Sequence, residues 1–91
     1  MIEKEVLVRN NAGIHTRPAA SIVKAAARFK SEIYLTRDGF GINAKSIIGV
    51  MTLIAEKGAI LTLKTSGPDE EAAIIEIEKL FENGFGELWS C

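Results

Sequence analysis

Residues 31–43 read SEIYLTRDGFGIN, and the Asp38-Gly39 pair in this stretch constrains the fold more than any other feature. An Asp-Gly pair between alternating segments is a strong short-range hairpin signal, because a type I′ turn needs positive φ at both central residues. Ile33 and Leu35 alternate against Tyr34 and Thr36, and 40–43 supplies a short returning strand. Any sheet built on this segment contains an antiparallel pair.

The rest of the chain alternates two periods. Residues 3–9 read as a strand with Val6 and Val8 facing one way and Leu7 the other. From 16 to 29 the period becomes helical: Ala19, Ile22, Val23, Ala26 and Ala27 fall on one face, with Pro18 in the first turn. A short helix over 46–58 starts at Ser46 and ends near Gly58, weakened by Gly49. Residues 59–65 alternate Leu61 and Leu63 against Ile60, Thr62 and Lys64. The clearest helix is 66–84: three acids follow Pro68, Ala73, Ile74, Ile77, Leu80 and Phe81 form its stripe, and Gly84 stops it. The order β-α-β-β-α-β-α predicts a two-layer α/β (α+β) fold, a mostly antiparallel four-stranded sheet with its helices on one face.

Ninety-one residues, 47% of them hydrophobic, suit one domain with one core. A net charge of -1 excludes nucleic-acid binding by bulk charge, and the sheet offers few aromatics beyond Tyr34 and Phe40 for stacking bases. The one cysteine, Cys91, cannot make an internal disulfide or a thiolate metal site. The N-terminus MIEKEVLV lacks the pattern of a signal peptide, and no apolar run approaches a membrane span. A cytoplasmic protein without metal or cofactor is expected.

His15, in NNAGIHTRPAAS, is the only histidine. It precedes a helix that begins near Thr16, and a helix N-terminus offers N–H groups and partial positive charge to an anion. Arg17 adds a cation whose forked donors suit phosphate oxygens. Gly13 permits close backbone approach, and Pro18 stiffens the first turn. No second histidine, no acid in the same loop and no ligand cluster stands beside His15, so hydrolysis lacks its base or metal. Accepting a phosphoryl group and passing it on needs only the nucleophile and charge stabilisation.

GIHTRPA (13–19) resembles the active-site signature of the HPr family of bacterial phosphocarriers, and NAKSIIGVMTLIAEKG (43–58) resembles its second signature. The two together are specific, and the resemblance runs to about Glu87, leaving 88–91 as an extension with Trp89 and Cys91. It implies an open-faced β-sandwich and a carrier that is not a true enzyme. It implies His15 as the residue phosphorylated on Nδ1, with Thr16 and Arg17 binding the phosphoryl group. Phosphorylated enzyme I would be the donor and enzyme IIA domains the acceptors, with a monomer suited to transient contacts.

Ser46 matches a serine that an HPr kinase/phosphorylase modifies in many members, while its plain structural role is a helix N-cap. Such modification links some members to a transcriptional regulator. Lys24, Lys45, Ile47, Ile48 and Met51 are the expected partner surface: core would claim about half of the aliphatic side chains, and Arg17, Lys24 and Lys45 would rim the patch. Ala12 stands where relatives often carry a small polar residue that orders the loop, with Asn11 as its candidate substitute. Two alternatives stay open: a nitrogen-type paralogue in a regulatory phosphorelay, and a non-catalytic regulatory binding module.

Overall fold

The computed structural model describes residues 1–53 and 55–86. Strands β1 (Ile2–Leu7), β2 (Glu32–Arg37), β3 (Phe40–Asn43) and β4 (Ile60–Ser66) form one sheet in the order β1-β4-β2-β3. Every pair in it is antiparallel. Helices α1 (Thr16–Ala26), α2 (Ile47–Thr52) and α3 (Glu70–Glu82) complete the expected order, and a short 3₁₀ turn follows at Gly84–Gly86.

The alternation places the core. Leu63 pairs with Leu35 and Leu35 with Ile42, so one apolar row crosses three strands, and Val6 pairs with Leu61 beside it. These side chains are buried together with Ala19, Ile22 and Ala26 of α1, Val50 of α2, and Ala73, Ile74, Ile77 and Phe81 of α3. The alternate residues Glu3, Glu5, Tyr34 and Ile60 are exposed on the opposite face. One covered and one open face is what a period of two produces. The hairpin forms as expected: Asp38 and Gly39 have φ of 51° and 84°.

The helices are shorter than their patterns. α1 stops at Ala26, where Arg28 and Phe29 bond back three residues, to Ala25 and Ala26, and tighten the end. Ala27 therefore leaves the apolar stripe and is exposed, and Val23 is only partly buried. α2 ends at Thr52, whose hydroxyl donates to the Gly49 carbonyl at 2.6 Å. Ala55 bonds instead to the loop before α1, accepting the Ile14 N–H. α3 begins at Glu70 because Gly67, at φ 148°, turns the chain sharply off β4.

Candidate functional site

The loop before α1 is built around Gly13. Its φ is 70°, and a Cβ there would lie 2.4 Å from the Ala55 carbonyl oxygen and 2.9 Å from Glu56 Cα. Only glycine allows that approach. The Ile14 N–H donates to the Ala55 carbonyl at 2.8 Å, and Ile14 is buried, so the residue before His15 is held on both counts.

Asn10 supports the loop from inside, and the sequence reasoning missed it. It is fully buried, its Nδ2 donates to the Gly13 carbonyl at 2.7 Å, and its own carbonyl accepts the Gly13 N–H at 3.2 Å. The available signal was an asparagine three residues before a glycine, a residue type that bonds its own turn. Asn11, the expected candidate, is exposed, and its Oδ1 accepts from Lys57 Nζ at 2.9 Å. Ala12 is exposed as well.

His15 occupies the N-cap of α1 with extended backbone (φ -97°, ψ -165°), and its side chain makes no capping bond. Its carbonyl accepts the Ala19 N–H at 2.9 Å, which opens the helix. Pro18 has no N–H, so the first-turn donors without an intrahelical acceptor are those of Thr16 and Arg17. His15, Thr16 and Arg17 are all exposed. His15 therefore directly precedes two backbone donors and a guanidinium-bearing residue, at the positive end of an eleven-residue helix. That arrangement suits a small anion attached to the ring.

Ser46 caps α2, its Oγ accepting the Gly49 N–H at 3.2 Å, and it is exposed. The aliphatic surface differs from expectation. Ile47, Ile48 and Met51 are 39%, 76% and 43% exposed, so none belongs to the core. Val50 is the one buried side chain of this two-turn helix. Lys24 lies seven residues after Arg17, on the same face of α1, and is exposed. Lys45 is partly buried, and its ammonium donates to the Phe29 carbonyl at 2.8 Å, just past the C-terminal end of α1. A carbonyl left over at a helix end attracts a nearby cation.

Among the described residues no group of three or more side chains could hold a metal ion, and no helix is long and apolar enough to cross a membrane. The tail 88–91, with Trp89 and Cys91, lies outside the described residues.

An open-faced sandwich that shows one imidazole to solvent at a helix N-terminus fits the class of histidine-bearing carriers. Comparison with known proteins agrees. The family model described as the PTS HPr component phosphorylation site matches residues 2–83. The phosphocarrier protein HPr of Treponema pallidum is 55% identical over 87 residues, 96% of this chain and 99% of that protein. The HPr-like protein Crh of Halalkalibacterium halodurans is 48% identical over 83 residues, 87% of this chain and 99% of that one. Among solved structures, HPr-C-His from Thermoanaerobacter tengcongensis superposes with a TM-score of 0.92 at 41% identity, covering 96% of this chain and 98% of its own. The chain belongs to the HPr family of the phosphotransferase system, whose members are phosphocarriers and not catalytic enzymes.

Proposed function

We propose that His15 accepts a phosphoryl group from phosphorylated enzyme I and passes it to enzyme IIA domains that serve sugar uptake. The observation that carries this is the exposed, uncapped position of His15 beside the Thr16 and Arg17 N–H groups. The Nδ1 lone pair attacks phosphorus, and the N–P bond forms as the bond from phosphorus to the donor breaks. The phosphoryl oxygens then meet the two N–H groups and the Arg17 guanidinium, which suits planar, forked donation. Transfer onward reverses the sequence: an acceptor nucleophile attacks phosphorus and the imidazole leaves with its lone pair. The transfer site needs neither metal nor cofactor, and the protein works as a cytoplasmic monomer.

Partners would dock on Ile47, Ile48 and Met51 of α2 and on Lys24, which extends the cationic face of α1 from Arg17. Ser46 adds control. Its exposed Oγ lies beside the exposed aliphatic surface, and an HPr kinase/phosphorylase acting there would add roughly two negative charges. That charge would repel a phosphorylated donor, and the modified form could engage a transcriptional regulator.

The test is incubation with enzyme I, Mg²⁺ and labelled phosphoenolpyruvate, in parallel with His15→Ala. Acid-labile, base-stable label on the wild type and none on the variant is the expected result. An unlabelled wild type, with an enzyme I active on another HPr, would refute the proposal.

A further inference from the structure

We infer that Arg37 and Glu56 form a clamp that positions the backbone carrying His15, which makes Arg37 a positioning residue for phosphoryl uptake. The inference deepens the proposed carrier role of His15 and rests on it. Its core is a segment, 55–59, bonded on both sides.

On one side the segment holds the loop before α1. Ala55 accepts the Ile14 N–H at 2.8 Å, Val8 exchanges bonds with Gly58 and Ala59 at 2.8 and 2.9 Å, and Lys57 reaches Asn11 at 2.9 Å. Gly13 packs directly on Ala55 and Glu56, so any shift of these two residues reaches the loop two residues before His15.

On the other side stands Arg37, the last residue of β2. Its Nη1 and Nη2 donate to the two carboxylate oxygens of Glu56 at 3.0 and 2.8 Å, and Nη1 also reaches the Leu53 carbonyl at 3.4 Å. The forked pair fixes direction as well as distance. The guanidinium holds the Glu56 carboxyl below its ordinary range. The clamp matters because the segment buries few side chains, and apart from the Lys57–Asn11 bond the other bonds that hold it are made by backbone. Glu56, Lys57 and Gly58 are exposed, and only the small side chains of Ala55 and Ala59 are buried. Asp38 lies 3.8 Å from Arg37 Nε, too far to replace a two-bond contact.

With Glu56 66% and Arg37 26% exposed, the pair contributes little to global stability. Its loss should therefore appear in the loop and not in the fold. The experiment compares wild type, Arg37→Met, Glu56→Gln and the exchanged pair Arg37→Glu with Glu56→Arg. Two quantities are read: amide hydrogen exchange at Ile14, with Leu63 as the internal control, and steady-state phosphorylation by enzyme I. Each single variant is expected to speed Ile14 exchange with Leu63 unchanged, and to lower kcat by about threefold to tenfold with KM little altered, as a misplaced reacting group would. The exchanged pair should restore much of both. Unchanged Ile14 exchange, or faster exchange with an unchanged kcat, would overturn the clamp. An unlabelled wild type would instead remove the carrier role, and the exchange measurement, which needs no phosphoryl donor, would still decide whether the clamp exists.

Discussion

Gly13 and Gly67 are both wedged against a neighbouring backbone, one beside Ala55 before α1, the other beside Ser31 beyond its C-terminal end. Around Gly67 the polar groups of Ser31 and Asp69 are bonded to one another. The Asp69 carboxylate accepts the Ser31 hydroxyl and the N–H groups of Lys30 (2.9 Å) and Ser31 (2.8 Å), while Ser31 Oγ accepts the Asp69 N–H at 3.1 Å. These bonds, the Ser31 hydroxyl first, hold the Asp69 carboxyl at a pKa of about 2. Around Gly13, Asn10 and Ile14 are buried and bonded to the loop, while His15, Thr16 and Arg17 are exposed. The same steric device thus closes the fold at one end and displays a reactive group at the other. Self-satisfied donors stabilise, and donors left at a helix start remain available to a ligand.

The sharpest way to break this comparison is to add a methyl group at each glycine. Gly13→Ala and Gly67→Ala each combine a disfavoured φ with backbone overlap, and each should lower stability by about 2–4 kcal/mol in urea titrations. Only Gly13→Ala should also slow phosphorylation of the folded protein. If Gly67→Ala slowed it equally, the two ends would not be functionally distinct.

A smaller effect separates the two faces of α2. Val50→Ala, at a buried site, should cost about 1–3 kcal/mol and leave transfer intact. Ile48→Ser, at a side chain 76% exposed, should change stability by less than about 0.5 kcal/mol while raising KM for enzyme I. Ser46 sharpens the distinction between cap and charge. Ser46→Ala should lose about 1 kcal/mol through the cap. Ser46→Asp keeps a capping oxygen, so it should hold stability yet slow phosphorylation.

The smallest expected effect is a pH dependence at the Gly67 end. Because the Asp69 carboxyl sits at about 2 against an ordinary 3.8, its contribution is complete above the ordinary value and fades as pH falls toward 2. Asp69→Asn should therefore be less stable than wild type near neutrality, and the gap should narrow below about pH 4. A gap independent of pH would mean that the carboxylate is not what ties α3 to Ser31.

Much of the fold was legible in the residues. Alternation at Ile33, Leu35, Leu61 and Leu63 named the core face correctly, because side-chain direction in a strand has a period of two whatever the partners. His15 at the head of α1 and the Asp38-Gly39 turn were equally local. Helix ends were less so. α2 was expected to reach Gly58, yet 55–59 is claimed by Ile14 and Val8, interactions across some forty to fifty residues of chain. Ile47 and Met51 read as possible core by type, but a helix of six residues resting on the sheet buries only Val50. Lys45 read as a rim charge, and no local pattern announced the bond its ammonium makes to the Phe29 carbonyl.

The sequence by itself determined the order of elements, the covered face of the sheet, the hairpin, and a single imidazole at a helix start beside an arginine. Each depends on spacing and on φ preferences within a few residues. Tertiary structure alone decided that Asn10 is buried beneath the loop, that Gly13 rests on Ala55, that Ile47, Ile48 and Met51 of α2 all reach solvent while Val50 is buried, and that Arg37 grips Glu56. Apart from the local Asn10–Gly13 bond, these depend on how elements far apart in the chain pack together, and local spacing carries no record of that.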